Sequence, residues 1–120
     1  MRVLVCGGRT YNGDKPWNHV TSVLSEIHRK TPISAIIQGG AGGADFLAKC
    51  WAGMYRVKCI TVPALWEEYG KAAGPIRNKR MLIDFKPDLV VAFPGGRGTA
   101  DMVRQAKEYG MNVRIEEIPQ

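Results

Sequence analysis

Asp88-Leu89-Val90-Val91-Ala92-Phe93-Pro94-Gly95-Gly96-Arg97-Gly98-Thr99 reads as one structural unit, an apolar run that stops abruptly in glycine. Residues 89–93 are all apolar and rich in β-branched side chains. A strand with one wet face alternates polar and apolar positions, so this unbroken run predicts a strand from Asp88 to Phe93 that is covered on both faces. Pro94 cannot continue the ladder, and 94–99 is predicted as a turn. A helix is expected to follow as far as Gly110, which suits the left-handed position just past a helix end. Residues 112–115 then form one last short strand.

The same order of strand, glycine turn and helix recurs toward the N-terminus. Arg2-Val3-Leu4-Val5-Cys6 is a first strand ending at Gly7-Gly8. Asp14-Lys15-Pro16 opens a helix, proline being well suited to a first turn, and Trp17, Val20, Leu24 and Ile27 keep helical spacing. Residues 33–38 are a second strand stopped by Gly39-Gly40. Leu47, Cys50, Trp51 and Met54 mark the next helical stripe, and 57–62 is a third strand. Residues 63–74 are expected as a long loop carrying Trp66 and Tyr69. Pro75 then opens a helix to about residue 85. Strands separated by helices must run parallel with right-handed crossovers. The expected fold is therefore α/β: a Rossmann-like, doubly wound, parallel five-stranded sheet in the order 3-2-1-4-5, with helices on both faces.

Composition sets the boundaries of function. At 120 residues, 1–120 is expected to be a single domain. The 45% apolar and 23% charged content is that of a globular protein. No apolar run approaches the roughly 18 residues of a membrane span, and the N-terminal run is broken too soon for a signal peptide. A cytoplasmic protein with no membrane partner is expected. Cys6, Cys50 and Cys59 have neither disulfide-framework nor zinc-ribbon spacing, and His19 and His28 are not spaced as a ligand pair. Buried free thiols and surface histidines are expected, with no metal and no cofactor. Seventeen Lys and Arg against eleven Asp and Glu give a net charge of +6, which favours an anionic partner.

Nine of the fourteen glycines lie at Gly7-Gly8, between Gly39 and Gly43, and between Gly95 and Gly98, each group just after a predicted strand. In this fold those carboxyl ends share one sheet edge, where ligands bind. Glycine admits close backbone approach, and free N–H groups at a helix start attract phosphate or carboxylate. The turn after the first strand lacks the GxGxxG of dinucleotide sites, and no Gly-Lys pair exists for a P-loop. The expected ligand contacts are Gly7, Gly8 and Arg9 after strand one, and Gly39, Gly40, Ala41, Gly43 and Asp45 after strand two. Trp66 in the long loop and Arg77 with Asn78 in the third helix join them. Pro94, Gly95, Gly96, Arg97, Gly98 and Thr99 after strand four complete the set.

Charge placement adds to this. Arg77, Lys79 and Arg80 sit early in a helix whose N-terminus is already positive, an arrangement a bound anion offsets. Arg77 offers a fork for phosphate, whereas Lys79 and Arg80 are read as solvated. Asp45 and Asp101 both lie in first helical turns, good for the helix dipole and also placed to meet ribose hydroxyls or assist catalysis. Trp66 and Tyr69 are candidates to stack on a base. Glu67-Glu68 reads as a solvated pair.

With these residues quoted, the chain resembles the SLOG superfamily, in particular its YspA-like branch. The resemblance rests on Cys6-Gly7-Gly8-Arg9, Gln38 to Asp45, Ala73 to Met81 and Phe93 to Asp101. It implies a Rossmann-like fold that binds nucleotides or nucleotide-derived ligands, as a sensor, a sequestering protein or an enzyme. Pro94 to Thr99, with Arg77 and Met81, also resemble motifs of the Lonely Guy phosphoribohydrolases, which release a base from a nucleoside monophosphate. That likeness implies Asp101 and Arg77 as catalytic candidates, although the position of the family's catalytic glutamate is Met102 here. Gly8-Arg9, Gly40 to Asp45 and Arg77-Asn78 are similar to elements of the DNA-processing protein A family. That likeness implies a single-stranded nucleic-acid-binding module as the alternative. Relatives in these families also imply a homo-oligomer.

Overall fold

Val3, Leu4 and Val5 have no exposed surface, because consecutive side chains of a central strand enter opposite halves of the core. Val3 and Val5 pack with Ile36, Val91 and the helices around Trp51, while Leu4 packs with Ile37, Val90, Met81 and Met102. This split core organises the computed structural model of the chain, which describes residues 1–119. The elements are β1 (Arg2–Cys6), α1 (Asp14–Lys30), β2 (Ala35–Gln38), α2 (Ala44–Met54) and β3 (Lys58–Thr61), then α3 (Trp66–Tyr69), α4 (Ala73–Phe85), β4 (Leu89–Ala92), α5 (Arg97–Glu108) and β5 (Val113–Ile115).

The sheet is parallel throughout, in the order β3-β2-β1-β4-β5. Helices α1 and α2 cover one face, α4 and α5 the other. The chain leaves β1 in opposite directions across the sheet, first toward β2 and β3, then to β4 and β5. The resulting switch point lies between β1 and β4, where Cys6 pairs in register with Ala92. Among the described residues no helix is long and apolar enough to cross a membrane.

Several boundaries differ from the sequence expectation. The segment 63–74 is not a bare loop. It holds α3 and a 3-10 turn, Gly70–Ala72, before α4 begins at Ala73, two residues ahead of Pro75. Proline is accommodated because a first-turn N–H has no intrahelical partner to lose. Helix α5 already starts at Arg97, so the turn after β4 is shorter than 94–99. Strand β2 starts at Ala35, because the Ile33 amide donates to His28 Nδ1 at 2.9 Å instead of entering the ladder. His19 is not a surface histidine. It is buried, with Tyr11 Oη on Nδ1 and Glu116 Oε1 3.0 Å from Nε2. The three thiols are free but only partly buried.

Candidate functional site

Gly8 and Pro94 bring the β1 and β4 loops together, the Gly8 amide donating to the Pro94 carbonyl at 2.8 Å. Gly8 also accepts from the Ala44 amide at 3.2 Å, which draws in the start of α2. The loops after β1, β2 and β4 thus share one rim and enclose a cleft of about 1220 Å³. Its lining includes Gly7, Gly8, Arg9, Gly39, Gly40, Ala41, Asp45, Trp66, Arg77, Asn78, Asp101 and the whole run from Pro94 to Thr99. Of the loop residues expected as ligand contacts after the strands, Gly43 alone stands outside the lining. At φ +65°, a Cβ on Gly43 would lie 2.0 Å from Gly8 O and 2.6 Å from the Arg9 carbonyl carbon. This glycine permits loop-on-loop contact, which sequence alone does not separate from ligand contact. Tyr69, Glu67, Glu68, Lys79 and Arg80 are not in the lining either. Thr10, Tyr11 and Lys71 do line the cleft, although no sequence pattern singles them out.

The glycine loops differ in what their amides do. After β2, the Gly39 and Ala41 amides both donate to Asp45 Oδ2 at 3.2 Å, and the Gly40 amide donates to Gln38 Oε1. These three donors are therefore satisfied by the chain's own side chains. After β4 the situation is reversed. The amides from Gly95 to Thr99 find no acceptor among the described residues, and α5 has no side-chain cap. Uncapped amides and the positive end of a twelve-residue helix make this an anion-attracting point of the cleft.

Charged side chains refine that field. Arg9, Lys71, Arg77 and Arg97 face only Asp45 and Asp101 in the lining. Arg77 is half-buried. Its Nη1 donates to the carbonyls of Gly39 at 3.0 Å and Val62 at 3.3 Å, and its Nε donates to Asn78 Oδ1 at 3.0 Å. Nη2 makes no bond among the described residues, so one amino group of the fork is left for a ligand. A Cβ on Gly39 would stand 2.2 Å from Arg77 Nη1, so a side chain there would displace the guanidinium from its present place. Across the cleft, the guanidinium carbon of Arg9 lies 6.0 Å from the centre of the half-exposed Trp66 ring. That separation is the outer limit of a cation–π contact.

The two acidic residues have opposite characters. Asp101 accepts from Asn78 Nδ2 at 3.0 Å, Gln105 Nε2 at 2.8 Å and Arg104 Nη2 at 2.8 Å. Burial works against its charge, but those three donors prevail and hold the carboxyl below its usual range. It is a fixed carboxylate at neutral pH, fit to stabilise positive charge and unfit to donate a proton. Helix α5 turns Asp101 to the cleft and buries Met102 in the core. Asp45 is only 6% exposed, and burial pushes its carboxyl up to about 6 against the pull of the Ala41 amide, Arg77 and the Gly39 amide. Cys6, also in the lining, is pushed up to about 12 by burial and is inert as a nucleophile. Among the described residues, no group of three or more His, Cys, Asp or Glu comes together as a metal site.

The raised Asp45 carboxyl predicts a pH signature. An acid titrating at about 6 when folded and near 3.8 when unfolded makes the folded state hold the extra proton between those values. Stability contributed by this group is therefore full below about pH 4 and lost as pH rises through 6. Asp45→Asn keeps an oxygen for the two amides and removes the buried charge. It is expected to stabilise the fold by about 1–3 kcal/mol at pH 8 and by little at pH 4. Urea denaturation at both pH values checks this, and parallel stability curves for the two proteins would contradict it.

Residues 1–69 match the family model described as the YspA, cpYpsA-related SLOG family. The chain is also similar to the Gene 61 protein of Mycobacterium phage D29, with 37% identity over 123 aligned positions, covering 93% of each chain.

Proposed function

Because the chain belongs to the YspA, cpYpsA-related SLOG family, we propose that its cleft binds a nucleotide-derived small molecule. The observation that carries this reading is the run of amides from Gly95 to Thr99 without acceptors, opening into a cleft where cations outnumber acids. The ligand's phosphate sits on those amides, and Arg77 neutralises it with its free amino group. Trp66, opposite Arg9, offers an aromatic face to the base. One observation also favours turnover. Asp101 is an ionised, rigidly held carboxylate in the same cleft, and N-glycosidic cleavage passes through a state with oxocarbenium character that such a charge stabilises.

Mass spectrometry of small molecules released from the purified protein tests the reading, followed by calorimetry with the four ribonucleoside 5′-monophosphates. Saturable one-site binding with a shallow salt dependence is expected. Failure to bind any nucleotide, together with tight binding of single-stranded oligonucleotides that falls steeply with salt, would replace the pocket with a nucleic-acid surface. Free base appearing with the native protein, and absent with Asp101→Asn, would establish hydrolysis.

A further inference from the structure

The cleft is electrically divided, and the division gives its ligand a direction. Asp45 is more than nine-tenths buried and lines the cleft, and both of its amide bonds fall on one oxygen, Oδ2. Its Oδ1 accepts from no donor among the described residues, yet is not sealed from the cleft. A buried carboxylate oxygen open on one side needs a hydrogen-bond donor there, and it repels a second anion. Asn78 cannot serve a ligand in the same way. Its Nδ2 is held by Gly98 O and Asp101, and its Oδ1 accepts from Arg77.

Resting on the nucleotide reading above, we infer that Asp45 Oδ1 receives the vicinal hydroxyls of the ligand's ribose, while the phosphate lies at the start of α5. Geometry supports the pairing. Strands β2 and β4 flank β1, so Asp45 at the β2 side and the α5 start at the β4 side line one cleft from either side of the β1 loop. The amides from Gly39 to Ala41 in the β2 loop are already taken by Asp45 and Gln38, and the Asp45 carboxylate repels an anion at that end. The ligand class is therefore a ribonucleotide recognised through a phosphate at α5 and its sugar diol at Asp45.

The test compares ribonucleoside, 2′-deoxyribonucleoside and 2′,3′-dideoxyribonucleoside 5′-monophosphates of one base by calorimetry, repeated with a second base. The dideoxy compound is expected to bind about 10- to 100-fold more weakly than the ribonucleotide, the cost of leaving a buried carboxylate without its donors. In Asp45→Asn that contrast collapses. If the Asn variant does not fold, Asp45→Ser, which keeps a short acceptor for the loop amides, takes its place. Should neither variant fold, the sugar series on the native protein decides alone. Equal binding of all three sugars would overturn the inference and leave the nucleotide reading intact. So would a contrast that survives the substitution, or one that follows the base and ignores the sugar. No binding of any nucleotide by the folded native protein would remove both.

Discussion

Gly43→Ala is expected to cost the fold about 2–5 kcal/mol, enough to leave much of a small domain unfolded at ambient temperature. Two effects combine. At φ +65° and ψ −131° an alanine pays roughly 1–3 kcal/mol for a backbone region that is nearly confined to glycine. Its methyl would also stand 2.0 Å from Gly8 O and 2.6 Å from both the carbonyl carbon and oxygen of Arg9. All three atoms are backbone, so no side chain can swing aside. The β1 and β2 loops would have to part, and the cleft rim with them. Gly53→Ala is the matched control. Gly53 lies in α2 with nothing within 4 Å of where a methyl would stand, so alanine there should stabilise by about 0.5–1 kcal/mol. Denaturant unfolding of both variants reads the difference directly. A Gly43→Ala protein as stable as its Gly53→Ala counterpart would show that the loop contact is not tight.

Arg77→Ala is expected to weaken nucleoside monophosphate binding by about 10- to 100-fold, through loss of charge-assisted bonds to phosphate. It also removes the cation beside Asp45, whose carboxyl should then titrate above its present value of about 6. At neutral pH this leaves a buried acid without its nearest positive neighbour, and stability falls with it. Measuring binding at pH 5, where Asp45 is protonated, separates lost recognition from lost folding. The double variant Arg77→Ala with Asp45→Asn should recover stability at pH 8 without recovering phosphate affinity. Unchanged affinity in the single variant would remove Arg77 from the site.

The sheet was legible because its signals are local. Leu89 to Phe93 is an unbroken apolar run, Val3 to Val5 another, and both are central strands with almost no exposed surface. The half-exposed edge strand β3 is one residue shorter at each end than the expected 57–62. Helix α3 escaped prediction because Trp66 to Tyr69 is a single turn with no buried residue, too short to show a period. The site was legible in part for the same reason. Glycines after strands mark the rim whatever the tertiary detail. They do not reveal which glycine faces a ligand and which faces another loop, and Gly43 is the case in point.

Residue order alone determined the alternation of strands and helices, the parallel direction of the strands, and the collection of Gly7, Gly39 and Gly95 at one edge. Those follow from apolar periodicity and chain handedness, which act over a few residues at a time. Three-dimensional packing alone decided that the amides of Gly39, Gly40 and Ala41 are spent on Asp45 and Gln38 while those from Gly95 to Thr99 have no acceptor among the described residues. It also decided that Asp101 faces the cleft while Met102 is buried. Hydrogen bonds and desolvation depend on which atoms meet across the fold, and residues as far apart as Gly39 and Arg77 meet only once the sheet has formed.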